Sequence, residues 1–354
     1  MGGKNRFIWF IIFLVLIGVT LYAMMSGATD FTAERFWHLL FSASPWYLLC
    51  AFLCMGGFIF FEAWSLWRLT KFFGHGRSLR RNTVYSAADI YFSAITPSAT
   101  GGQPASAVFM IRDGIPTAVT AMCLLLNVML YTVSILIIGV LCFILCPDVF
   151  FSFSVYSQIL ILIGFGIQAL VVVGLLILVL KEQIILRLAN FFVRLLHKLH
   201  LIKDVEKRLA SVEKLTAEYS ACIRAFRGGG WTVFRVLLLN LMQRFCNIGV
   251  TLFVYLATGG SLSRWLEVFV TQGYVVLGSN AVPVPGAVGV ADYLFLDGFE
   301  ELIVDTTCVE LISRSISFYI CLVFCGAVTL GAVAFNMLKN RKRRKSISGQ
   351  FSQG

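Results

Sequence analysis

The chain has 354 residues, 58% of them hydrophobic and only 13% charged, with a mean hydropathy of +0.85. A soluble domain is nearer half apolar and a quarter charged, so this excess excludes a water-soluble enzyme and calls for lipid as solvent. Lys and Arg outnumber Asp and Glu by 29 to 18, a net charge of +11, and the position of those bases matters more than their sum.

Six apolar stretches reach the roughly 20 residues that a helical crossing takes. In chain order they are Phe7–Met25, Trp46–Leu69, Ala118–Cys146, Val155–Leu180, Thr232–Thr258 and Cys308–Leu338. The first follows Lys4 and Arg6 and is longer than a signal-peptide core, so it reads as a retained anchor. Bases gather after the second span (Arg68, Lys71, Arg77, Arg80, Arg81), through Lys181–Arg227, and in the tail Lys339–Lys345. The turn at Pro147–Asp148 has none, and Asp297–Glu310 is acidic. Six spans with both termini cytoplasmic, in the cell (inner) membrane, satisfy every loop. The basic tail reads as a stop-transfer anchor touching anionic lipid, not as a nucleic-acid site. Residues 346–354 read as a disordered tail.

Two further segments are apolar but broken. Thr83–Ile111 contains Thr96-Pro-Ser-Ala-Thr-Gly-Gly-Gln-Pro104, and Trp265–Phe299 contains Val282-Pro-Val-Pro-Gly-Ala-Val-Gly-Val-Ala-Asp292. Proline removes a backbone donor and glycine loosens a helix, so neither can be one clean span. Irregular backbone at membrane depth survives only inside protein or beside a wet cavity. Loop charge places the first as a re-entrant hairpin from the cytoplasmic side and the second as one from outside. The rival reading has each segment cross as two short helices. The first membrane half, 1–146, and the second, 147–345, then read as an inverted repeat whose broken segments meet at a substrate site. Between the halves, residues 181–230 read as a basic amphipathic cytoplasmic loop: Ile185, Leu188, Phe192, Leu195 and Leu199 form one stripe, and a second helix ends at Gly228–Gly230.

Thr96-Pro-Ser-x-x-Gly-Gly-x-Pro104 with Arg112-Asp-Gly114, and Pro285-Gly-x-x-Gly-Val-x-Asp292 with Arg314, resemble the lysylphosphatidylglycerol synthase transmembrane region, also called flippase-like. Asp292 stands where that family commonly carries Glu. The resemblance implies an integral membrane protein that moves lipids. In the best-known member this region is fused to a cytosolic domain that transfers lysine from lysyl-tRNA to phosphatidylglycerol; the likeness here is to the membrane region.

Charged residues at membrane depth cost roughly 2.5–3.5 kcal/mol on insertion scales, so each needs a reason. Asn240, Gln243, Arg244 and Asn247 share one face of the fifth span. Arg314, Glu62, Asp89 and Asp292 are the other candidates. One reading is structural: ion pairs such as Asp292 with Arg314, or Glu62 with Arg68. The other is functional: Arg112, Arg244 and Arg314 meet a lipid phosphate, because guanidinium matches phosphate and stays charged when desolvated. Thr96, Pro97 and Pro285 would then shape the site and Gly101, Gly102, Gly286 and Gly289 offer backbone N–H donors, with Glu62, Asp89 and Asp292 as coupling or ion-pair groups. No catalytic residue, cofactor or metal is expected: His38, His75, His197 and His200 are scattered, and the ten cysteines form no CxxC pair.

The expectation is an all-α polytopic translocase for an anionic or aminoacylated phospholipid, or a lipid-linked phosphate. Its partners are that lipid and a possible separate synthase, with no nucleic acid. Two alternatives stay open: a phosphatidylglycerol lysyltransferase, as the family name implies, and an accessory subunit of a separate synthase.

Overall fold

The computed structural model describes residues 32–96, 99–180, 184, 187, 190, 191, 205–280, 282, 284–287 and 289–335. The expected first span, most of the stripe at 184–202, Pro97 and the basic tail lie outside the described residues. Among those described, every regular element is helical. Five helices are long and apolar enough to cross a bilayer: α2 (Pro45–Phe72), α5 (Thr117–Leu145), α7 (Val155–Leu180), α9 (Gly230–Ala257) and α12 (Thr306–Phe335). At 1.5 Å per residue even the shortest exceeds the ~30 Å hydrocarbon thickness. The chain is thus a multi-pass, all-α membrane protein.

Shorter elements fill the gaps. Ahead of α2 comes α1 (Ala33–Ser42), whose first turn is closed by the Thr32 hydroxyl accepting from the Arg35 N–H. Pro147 stands at the first turn of α6 (Pro147–Ser152), where its missing N–H costs nothing. Between the third and fourth of these long helices, α8 (Val205–Arg227) stops before Gly228–Gly230.

The two broken segments are helical hairpins. The first pairs α3 (Leu79–Ile95) with α4 (Gly102–Arg112); the second pairs α10 (Trp265–Ser279) with α11 (Val290–Phe299). With 11, 15 and 10 residues, α4, α10 and α11 fall short of a crossing.

The closest helix pair is α2 with α9, packed antiparallel along their length. At one end the Ser44 N–H donates to the Ala257 carbonyl at 2.8 Å, and at the other Gly229 meets the Phe72 ring. Small residues permit the approach: a Cβ on Gly57 would come within 2.9 Å of Cys246 Sγ. The first hairpin has its base beside the α2 C-terminus, where Arg77 donates to the Asp113 carbonyl. The second has its base beside the α9 C-terminus, where the Ser261 N–H donates to Tyr255 Oη and Arg264 donates to the Glu301 carbonyl. The hairpins therefore approach from opposite ends of one helix pair. Their inner parts touch, α3 packing on the turn Pro285–Ala287.

Candidate functional site

A cavity of about 700 Å³ lies where the hairpin tips meet. Its wall includes Phe58 and Glu62 of α2, Asp89 and Ser93 of α3, Ala99 and Gln103 around the first tip, and Gly286 and Ala287 of the second. Tyr131 of α5, Gln168 of α7, Arg244 and Asn247 of α9, and Ser317, Phe318 and Cys321 of α12 complete it. Every long helix except α8 thus contributes, and both broken motifs do.

The polar face of α9 is buried against α2 and α5. Asn240 donates to the Ser65 hydroxyl at 3.2 Å, which donates to Asn127 Oδ1 at 2.5 Å. One turn on, Gln243 donates to Glu62 at 3.0 Å. Helical spacing then points the next side chain, Arg244, into the cavity. Its guanidinium stacks over the Tyr131 ring at 4.2 Å and the Phe58 ring at 4.9 Å, and one Nη donates to Tyr131 Oη at 3.1 Å. Arg244 is only 4% exposed, yet its Nε and second Nη have no hydrogen-bond partner, and no carboxylate lies within ion-pair distance among the described residues. A buried guanidinium with open donors is costly unless something accepts from them.

Beside it, Glu62 and Asp89 are 7% and 5% exposed, and their carboxyls stand within hydrogen-bonding reach of each other. Asp89 also accepts from Gln103 at 2.7 Å and from Ser93 at 3.2 Å, so it ties the two arms of the first hairpin together. That closeness demands glycine at 102, where a Cβ would fall 2.1 Å from Asp89 Oδ1 and 2.6 Å from the Asp89 carbonyl. The first tip is closed by Thr96, whose hydroxyl accepts from the Gly101 N–H at 2.9 Å and donates to the Phe92 carbonyl at 2.6 Å.

The second tip is held from α12. Arg314 is paired with Asp292 and, at 3.4 Å, with Glu310, and it donates to the Gly286 carbonyl at 2.9 Å. Gly286 has φ +62°, and a Cβ there would meet the Phe318 ring at 2.7 Å, so position and conformation both require glycine. Asp292 also accepts from the Gly289 N–H at 2.8 Å, capping α11. Both tips carry an alanine in the left-handed region, Ala99 at φ 53° and Ala287 at φ 52°. Below Arg314, Ser315–Ile320 forms a π-helical turn, a distortion common at functional sites, and three cavity residues sit on or next to it.

Of the arginines expected to face a phosphate, only Arg244 lines the cavity. Arg314 points instead at two carboxylates and a carbonyl, the ion-pair arrangement, because α11 brings Asp292 against it. Arg112 is exposed at the C-terminus of α4, at the base of its hairpin, since the arm turns back before reaching it. Glu62 does not pair with Arg68, which lies over the Trp67 ring; Gln243 and Asp89 are its neighbours. Two N–H groups expected to face an anion, on Gly101 and Gly289, are already bonded to Thr96 and Asp292. All ten cysteines are free thiols.

The aromatic clamp of Phe58 and Tyr131 escaped sequence reasoning. Phe58 lies one turn before Glu62, and Tyr131 follows Asn127 at helical spacing; both spacings were visible, but nothing in them separates a cation clamp from ordinary apolar packing.

No curated protein matches the sequence. The family model for the lysylphosphatidylglycerol synthase TM region matches residues 8–325, which takes in both hairpins and every residue of the cavity wall. With that much of it matched, the chain belongs to the lysylphosphatidylglycerol synthase transmembrane-region family.

Proposed function

We propose that this protein is a lipid translocase, carrying the phosphate-bearing headgroup of a membrane lipid through the central cavity while its acyl chains stay in the bilayer. One observation carries the reading: Arg244 lines a chamber framed by both hairpins, and it is desolvated, clamped between two rings and left with two buried N–H donors that have no acceptor. Guanidinium suits a phosphodiester because it is planar, weakly hydrated and permanently charged. The chamber's flank supports a lipid over a water-soluble anion. Ile167, Val171 and Val284 line it and are each about two-fifths exposed. The opposed approach of the hairpins supports an inverted repeat that opens the site alternately to each leaflet, with both termini cytoplasmic.

Proteoliposomes containing labelled phosphatidylglycerol test this by headgroup accessibility to a membrane-impermeant quencher. Arg244→Ala is expected to slow transbilayer movement about tenfold or more, the loss of charge-assisted hydrogen bonds worth roughly 1.5–3 kcal/mol. Arg244→Lys, lacking the planar fork, should fall between. Equal rates for all three overturn the reading. Aminoacylated lipid formed by the purified chain with lysyl-tRNA, seen by thin-layer chromatography, would favour a transferase instead.

A further inference from the structure

The lipid-phosphate reading leaves the carboxyl pair beside Arg244 without a task. Glu62 on α2 and Asp89 on α3 are buried in the same wall and within reach of one another. The groups facing them are known from each neighbouring element: Gln243 and Arg244 on α9, Gln103 on α4, Ser93 on α3, Tyr131 on α5, Gln168 on α7, and Cys321 and Cys325 on α12. Arg244 is the one cation among them. It supplies the independent sign of a ligand, since two of its buried donors have no acceptor.

Charge balance in a low-dielectric chamber then decides the protonation. Two adjacent desolvated carboxylates do not both ionise; they share a proton and titrate as one system. With one proton on the pair, the site holds one negative charge against the single positive charge of Arg244 and is neutral. A phosphodiester would add a second negative charge, and an uncompensated buried charge costs several kcal/mol. Protonating the remaining carboxylate restores neutrality.

We propose that Glu62 and Asp89 hold one proton between them and that a lipid phosphate settling on Arg244 draws in a second. The proton passes from bulk water to a carboxylate oxygen, and no other bond changes. The site thus takes up lipid and proton together, which makes the proton the coupling ion of the carrier. This inference rests on Arg244 as the phosphate ligand. Its geometric effect falls on the first hairpin, because Asp89 bridges the two arms through Gln103 while meeting Glu62 on the fixed α2–α9 pair.

Two measurements on the purified full chain in detergent test it. In infrared spectra without added lipid, wild type should show a protonated-carboxyl carbonyl band that Glu62→Gln and Asp89→Asn each abolish, since either leaves one carboxylate facing Arg244. Two bands removed separately, or a spectrum that neither variant changes, overturns the shared proton. Short-chain phosphatidylglycerol is then added to lightly buffered protein carrying a pH dye, with lipid binding followed by native mass spectrometry. A proton taken up for each lipid bound by wild type, kept by each single variant and lost when Glu62→Gln and Asp89→Asn are combined, supports the coupling. Binding without proton uptake overturns the coupling while leaving Arg244 as the phosphate ligand. Absence of binding removes the phosphate reading and the coupling with it. Should either variant fail to fold, the wild-type stoichiometry decides alone.

Discussion

The two hairpins have the same outline and are stabilised in different ways. The first is self-contained: Asp89 bonds Ser93 and Gln103, Thr96 bonds Gly101, and at its base Asp113 receives both Arg81 and Tyr85. The second has few bonds of its own and is leashed by neighbours. Arg314 of α12 holds its tip and capping residue, while Asp297 accepts from the Ser154 N–H at the start of α7. The difference shows that one hairpin shape can be made by local hydrogen bonding or by a buried ion pair reaching in from another helix. It also implies different failures: damage to the first hairpin stays local, whereas damage at Arg314 frees a tip and strands charge.

The largest effect should therefore come from Arg314→Met. It leaves Asp292 and Glu310 buried without their cation, and breaking such a pair costs about 3–5 kcal/mol. Thermal unfolding in detergent should show a large drop, partly recovered by adding Asp292→Asn; no recovery would mean that the ion pair is not what holds the second tip. Next is Gly102→Ala, which forces a methyl against Asp89 and should cost about 1–3 kcal/mol as overpacking. If the first hairpin is as self-contained as its bonds indicate, this variant should alter protease sensitivity at residues 79–112 and leave the second hairpin unchanged. Asp113→Asn should cost less, about 1 kcal/mol, because its pair with Arg81 is partly exposed and mainly the Tyr85 hydrogen bond is weakened. The smallest effect is a gain. Ala99→Gly and Ala287→Gly each relieve a left-handed alanine, worth about 1 kcal/mol, and the two gains should add because the residues belong to separate tips. A loss at either site would show that the alanine methyl packs usefully there.

Much of this architecture is legible in the sequence because lipid imposes simple rules. Runs of about 20 apolar residues can hardly be anything but spans, and Pro-Gly interruptions such as 96–104 and 282–289 cannot lie in contact with acyl chains. The polar face of α9 was equally plain from the spacing of Asn240, Gln243, Arg244 and Asn247. Partner choice was not. Sequence shows that Arg314 and Arg244 each need a reason, but only the packing of α11 on α12 sends Asp292 to one and leaves the other with aromatic rings. The same limit hid the role of Glu62: its i+6 neighbour Arg68 is close in sequence, while Gln243 and Asp89, its real neighbours, come from other helices. Charge type was readable; three-dimensional assignment was not.

The antiparallel seam of α2 and α9 has a mechanical consequence. A methyl on Gly57 would already strike the sulfur of Cys246, one on Gly249 would press on Cys54 Sγ at 3.3 Å, and a backbone bond pins Ser44 to Ala257. Surfaces keyed so tightly resist shear, so these two helices form a stiff spine, and relative motion within the molecule has to be carried by what leans on them.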